Sequence, residues 1–128
     1  MTNRELYDAA LRLIAESTNE GDAADYEERA PYLLAAFCTE MATLDKHLRA
    51  SRGDGCDVSI DAVLLPLEES FPLSSRFTAA ASLYLAAMLI LDTDEERSDA
   101  LYGQYSDAVS RIADGIPAIS RPIVDKYF

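Results

Sequence analysis

Residues 77–91, with the sequence FTAAASLYLAAMLIL, decide the fold of this chain. A helix built from them is apolar nearly all round, with Thr78 and Ser82 interrupting the run. Such a helix must be covered on most of its sides. The run is too short to cross a bilayer, which needs about 20 residues. It therefore predicts a buried central helix, covered by the rest of the chain and, where that is not enough, by a neighbouring subunit.

Two amphipathic helices are predicted before this central one. The first begins at a capping box, in which Thr2 and Glu5 each accept from the other's backbone amide. The second has apolar residues every three or four positions from Leu33 to Leu48, and Gly53 ends it. Pro31 either starts this second helix or kinks its first turns.

A fourth helix is predicted directly after the central one. Thr93 with Glu96 forms a second capping box, and the first turn is acidic. Gly115 and Pro117 end the helix. The short joint between the third and fourth helices predicts an antiparallel hairpin.

Two stretches are predicted to be extended rather than helical. Residues 54–73 contain two prolines and alternating apolar residues, which predicts an ordered, largely extended connector. Residues 117–128, PAISRPIVDKYF, have the same character at the C-terminus. The sequence thus predicts an all-α, four-helix bundle-like domain over residues 1–116. It has a long extended connector between helices 2 and 3, and an extended C-terminal tail over residues 117–128.

Charge and composition exclude several classes of partner. The formal net charge is −12, from 11 basic and 23 acidic residues. This balance argues against sequence-independent binding to nucleic acid, which needs Lys and Arg against phosphates, and against an anionic membrane surface. The N-terminal sequence MTNRELYDAA lacks the apolar core of a signal peptide. We expect a protein of a reducing compartment, with protein partners and no small-molecule substrate.

No residues are assigned to catalysis, to a cofactor or to a metal. Cys38 falls in an apolar helical stripe and is predicted to be a buried thiol, whereas Cys56 lies in a polar loop. His47 is the one histidine and is predicted to be structural. Glu27 with Glu28, and the acids around Glu95, invite comparison with magnesium-binding helices. Both groups lie where helices begin, so they stabilise the helix dipole without a metal.

Three stretches of the chain resemble head–tail connector (adaptor or head-completion) proteins of tailed phages and prophages. They are DYEERAPYLLAAF in the second helix, SIDAVLLPLEESFPLSSRF leading into AAASLYLAAMLILD, and DEERSDALYGQYSDAVSRI with the tail ending IVDKYF. The resemblance implies a non-catalytic helical subunit that assembles as a ring on the portal. Its partners would be the portal, tail-side proteins and further copies of itself. It would be found in the bacterial host cytoplasm during assembly, and then at the virion head–tail junction.

In such proteins connector segments and tails insert against neighbouring subunits, and residues 58–73 and 117–128 are the matching positions here. Apolar residues of these two segments are the candidate interface: Leu65, Leu67, Phe71, Leu73, Ile119, Ile123, Val124, Tyr127 and Phe128. Two alternatives stay open. One is a cytosolic helical adaptor or regulator that binds a protein partner, and the other is an all-α metal-dependent nucleotide pyrophosphohydrolase.

Overall fold

The computed structural model describes residues 1–14, 23–51, 53, 60 and 62–115. In this part of the chain, helices form at the places that the sequence predicts, and the all-α bundle-like class is confirmed. The predicted tail at residues 117–128 lies outside the described residues. The helices are α1 (Asn3–Leu13), α2 (Ala23–Ser51), α3 (Thr78–Leu89) and α4 (Glu95–Asp114), with one turn of 3₁₀ helix (Ser75–Phe77) leading into α3.

Helix α3 is the centre of the bundle and packs against α1, α2 and α4. Its alanines let the neighbouring helices approach closely, and most of its side chains are buried within the chain itself. The buried residues of α3 are Ala80, Ala81, Ser82, Leu85, Ala86, Ala87 and Leu89. The prediction of a buried central helix is therefore confirmed, and the covering comes mainly from the same chain.

Aromatic rings fill the space where α2, α3 and α4 meet. The Phe37 ring of α2 lies 5.7 Å from the Tyr84 ring and 6.1 Å from the Tyr105 ring, measured between centroids. Tyr84 and Tyr105 are themselves 5.3 Å apart. Burial raises the pKa of both phenols, that of Tyr105 to about 12. The rings therefore act as packing groups whose hydroxyls stay protonated.

The helix ends follow the predicted caps in two places. At α1, Thr2 accepts from the Glu5 amide and the Glu5 side chain accepts from the Thr2 amide, so the capping box is confirmed. At the end of α2, Gly53 has a φ of +81°, and its amide donates to the Ala50 carbonyl at 3.1 Å. Glycine adopts this left-handed conformation without the steric cost that a Cβ would add.

At α4 the predicted capping box is wrong by one residue. The cap is Asp94, whose carboxylate accepts from the Arg97 amide at 3.1 Å. Thr93 is still part of the turn that closes α3, where its amide and hydroxyl both donate to the Ile90 carbonyl. Because Thr93 is hydrogen-bonded in that turn, the carboxylate of Asp94 caps α4 in its place. This carboxylate also adds a favourable negative charge at the positive end of the helix dipole.

Pro31 does not start a helix, because α2 runs through it from Ala23 to Ser51. Of the two interpretations of this proline, the one with a helix begun earlier is confirmed. The Pro31 carbonyl accepts from the Leu65 amide at 3.0 Å. The proline thus lies where the connector meets α2.

Candidate functional site

An apolar groove of about 410 Å³ opens between α1 and α3. We call it the α1–α3 groove; its lining residues are Ala9, Arg12, Leu13, Ala79, Ser82 and Leu83. Small side chains form its floor between the two leucines. Leu13 remains 40% exposed, which is a large apolar area to leave in water. Here the described part of the chain does not fully cover the central helix.

Helix geometry explains where this opening lies. Residues three and four apart share a face, so Ala79, Ser82 and Leu83 line one side of α3. The face that meets α4 lies about a quarter of a turn further round. It includes Ala87, whose carbonyl accepts from the Ser98 hydroxyl of α4 at 2.7 Å. Helices α1 and α4 thus flank an uncovered strip of α3.

A hydrogen bond joins the first turn of α4 to the end of α1, beside the α1–α3 groove. The Arg97 guanidinium, in the first turn of α4, donates to the Leu13 carbonyl at the end of α1, at 3.0 Å. This bond satisfies a carbonyl that the helix end would otherwise leave without a partner.

The connector is held against the N-terminus of the chain by backbone hydrogen bonds. The amides of Asn3 and Arg4 donate to the carbonyls of Glu69 and Leu67 at 2.9 and 2.8 Å, and the Phe71 amide donates to the Met1 carbonyl at 2.9 Å. The first amides of α1, which have no partner within the helix, are thereby satisfied. The described part of the connector is ordered and extended, as predicted.

Most of the connector residues named as a candidate interface face the chain's own core. Leu65, Leu67 and Leu73 are buried, and Phe71 is half-buried with its ring centroid 6.5 Å from that of Phe37. Their apolar surface is already used within this chain. The other five candidates lie outside the described residues: Ile119, Ile123, Val124, Tyr127 and Phe128.

The apolar surface that the connector does expose lies one or two residues earlier. Val63 is 80% exposed and Leu64 is 39% exposed. The hydrogen bond from the Leu65 amide to the Pro31 carbonyl brings this stretch beside Tyr32, which is 50% exposed. We call Tyr32, Val63 and Leu64 the connector patch. Sequence reasoning missed it because an alternating segment does not reveal which of its faces turns inward.

A buried carboxylate fixes the end of the connector. Asp45 of α2 is fully buried and accepts from Arg49 Nε at 2.7 Å and from the Ser74 amide at 3.1 Å. The Ser74 hydroxyl also donates to it. Arg49 reaches on to the Pro72 carbonyl at 3.4 Å. Ser74 is therefore held by Asp45, and its side chain does not cap the 3₁₀ turn that leads into α3.

The acidic residues considered as metal ligands are all exposed: Glu27, Glu28, Glu95 and Glu96. Arg4 pairs with Glu27 at 2.9 Å and with Glu68 at 3.2 Å, and these contacts raise the pKa of Arg4 and lower that of Glu68. Among the described residues, no three His, Cys, Asp or Glu side chains are grouped so that they could hold a metal ion.

Cys38 and His47 are the described residues that were considered as a nucleophile or a base. Cys38 is buried as predicted, and burial raises the pKa of its thiol to about 12. A thiol that stays protonated is a poor nucleophile. His47 is exposed on α2, next to the exposed Lys46. Cys56 lies outside the described residues.

Within the described ranges, no helix has both the length and the apolar character needed to cross a membrane. Comparison with known protein families, curated protein sequences and solved structures found no match to this chain. Its function must therefore be argued from its own surface.

Proposed function

We propose that this chain is a non-catalytic structural subunit of a phage or prophage, which forms a ring on the portal at the head–tail junction. The observation that carries the proposal is the pair of apolar surfaces left open on the bundle, the α1–α3 groove and the connector patch. Exposed apolar surface with a polar surround is typical of protein–protein contacts. The kind of assembly proposed, a ring on the portal, comes from the resemblance of the sequence to head–tail connector proteins.

Two different open surfaces favour a ring over a simple pair. A two-fold dimer uses the same patch on both subunits, whereas a closed ring joins one patch of each subunit to a different patch of the next. The groove is lined from α1 and α3, and the connector patch is formed by α2 and the connector. Val63 and Leu64 have the size to enter an apolar groove on a neighbouring copy.

The acidic surface supports a place around a DNA conduit. Asp94, Glu95, Glu96 and Asp99 crowd the exposed first turns of α4. A lumen lined with such acids repels phosphates, so that DNA slides through without binding. Replacing these acids by their amides is expected to slow DNA passage through assembled particles. Unchanged passage would remove this part of the proposal.

A cytosolic adaptor or regulator is the second candidate, and the α1–α3 groove is the observation that favours it. An apolar groove between two helices can accept the apolar face of a partner helix. The two candidates differ in stoichiometry, because an adaptor binds its partner as a monomer or dimer and does not form a ring.

The first experiment is the solution mass of the purified chain by light scattering, alone and mixed with the portal protein of its proposed phage or prophage. We expect weak self-association alone and a ring with the portal. Val63→Asp should prevent the ring, because a carboxylate cannot enter an apolar contact without a partner. Ala100→Asp, at an exposed position of α4, is the matched control and should still assemble.

Two results would contradict the proposal. The first is a chain that stays monomeric in the presence of the portal protein. The second is a gene neighbourhood of metabolic enzymes in place of portal, capsid and tail proteins.

A further inference from the structure

We propose that the α1–α3 groove is the docking site of residues 117–128 of the same chain, which fold back along it in the free protein. This inference goes beyond the assembly role, because it concerns the chain before it meets any partner. In the proposed ring, a neighbouring copy would enter the groove only after it displaces the tail. It also explains how the uncovered strip of the central helix is kept from water.

The place where α4 ends brings the tail to the groove. Gly115 follows the last residue of α4, and its amide donates to the carbonyls of Arg111 and Ile112 at 3.2 Å. A Cβ at Gly115 would lie 3.4 Å from Arg76 Nη2. Arg76 stands one turn before Ala79, which lines the groove. The chain therefore leaves α4 near the N-terminal end of α3, within reach of the groove.

The length of the remaining chain fits the distance. From Ala79 to Leu83 the groove extends about 6 Å along α3, at about 1.5 Å per residue. Residues 116–128 reach about 40 Å when extended. The tail is therefore long enough to cover the whole groove without a contribution from a neighbouring subunit.

The chemistry of the tail matches the groove. Its apolar residues would enter a channel lined mainly by alanine and leucine side chains: Ile119, Ile123, Val124, Tyr127 and Phe128. Pro117 and Pro122 have no amide donor, so they bring fewer polar groups that need a partner. Arg12, which lines the groove, carries the charge opposite to that of Asp125 in the tail.

The test uses the absence of tryptophan from the sequence. Ile123→Trp and Phe128→Trp each introduce a single fluorescent reporter into the tail, and emission shifts to the blue when the indole leaves water. We expect blue-shifted emission from at least one reporter in the full-length monomer. Adding Ala79→Arg, which fills the groove from an exposed position, should return that emission to the solvent value.

Ala100→Arg is the matched control, because it makes the same exchange at an exposed position of α4 away from the groove. It should leave the blue-shifted emission unchanged, and circular dichroism should show both arginine variants folded. Solvent-like emission from both reporters before the groove is filled would overturn the proposal. The proposal would also be overturned if dilution dissociated a dimer and abolished the blue shift at the same time. The groove would then be occupied by the tail of a second copy.

Discussion

Replacing Asp45 by alanine is expected to destabilise the protein by about 3 kcal/mol. The carboxylate is fully buried and accepts from Arg49 Nε, the Ser74 amide and the Ser74 hydroxyl. Removing one partner of a buried ion pair costs about 3–5 kcal/mol. The lower end applies here, because the Arg49 side chain is 25% exposed and its charge can regain water.

Urea unfolding followed by circular dichroism measures this loss directly. About 3 kcal/mol corresponds to a fall in the melting temperature of roughly 10 °C or more for a domain of this size. Ser74→Ala removes only the hydroxyl contact and is expected to cost about 1 kcal/mol. Because the two residues share an interaction, the double variant should lose less than the sum of the single losses.

Asp107→Ala is the control, since Asp107 is an exposed acid of α4 and its replacement changes the net charge equally. It should stay within about 0.5 kcal/mol of the parent, as exposed positions usually do. If the Asp45 and Asp107 variants unfolded at the same urea concentration, the buried carboxylate would not hold the connector as described.

The remaining predictions concern single positions. Cys38 should resist alkylation at pH 8 in the folded Cys56→Ser variant and react once urea unfolds it; equal rates in both states would refute its burial. Gly53→Ala should destabilise by about 1 kcal/mol, because Gly53 has a positive φ. Gly103→Ala should stabilise the protein by a similar amount, because Gly103 lies inside α4 with open space around it. Urea unfolding of both variants measures the two changes in the free energy of unfolding. Changes of the same sign would contradict the backbone conformations given for these two glycines. Burial holds the pKa of Tyr105 at about 12 against an ordinary 10.0, so the folded state favours the neutral phenol. That contribution to stability is complete below about pH 10 and is lost as the pH rises toward about 12. In Tyr105→Phe, the free energy of unfolding should therefore fall less steeply with pH over this range. If its pH dependence equalled that of the parent protein, Tyr105 would not be buried as described.

The helices could be predicted from the sequence because their signals are local. The capping box at Thr2, the stop at Gly53 and the apolar run of α3 each depend on residues within a turn or two of one another. The exception at Thr93 and Asp94 is also local. Two adjacent residues could cap α4, and the hydrogen bonds of Thr93 to the preceding turn decide between them.

The open surfaces could not be predicted, because they depend on which elements meet. Ala9 and Ala79 are unremarkable in the sequence and form a groove only when α1 packs beside α3. In the connector, alternation marked Leu65 and Leu67 as apolar but did not say that they turn inward while Val63 turns outward. Asp45 interrupts an apolar stripe, and its partner Ser74 is 29 residues away.

The pairing of the N-terminus with the connector has a consequence for the order of folding. The Asn3 side chain and the Pro66 carbonyl that it contacts are 63 residues apart. Closing such a loop costs about 1.6 kcal/mol more than closing one of ten residues. The α3–α4 hairpin forms from neighbouring residues and can fold early, so we expect α1 to dock last. During synthesis, the side chain of Asn3 can therefore form this hydrogen bond only after residue 66 has been made.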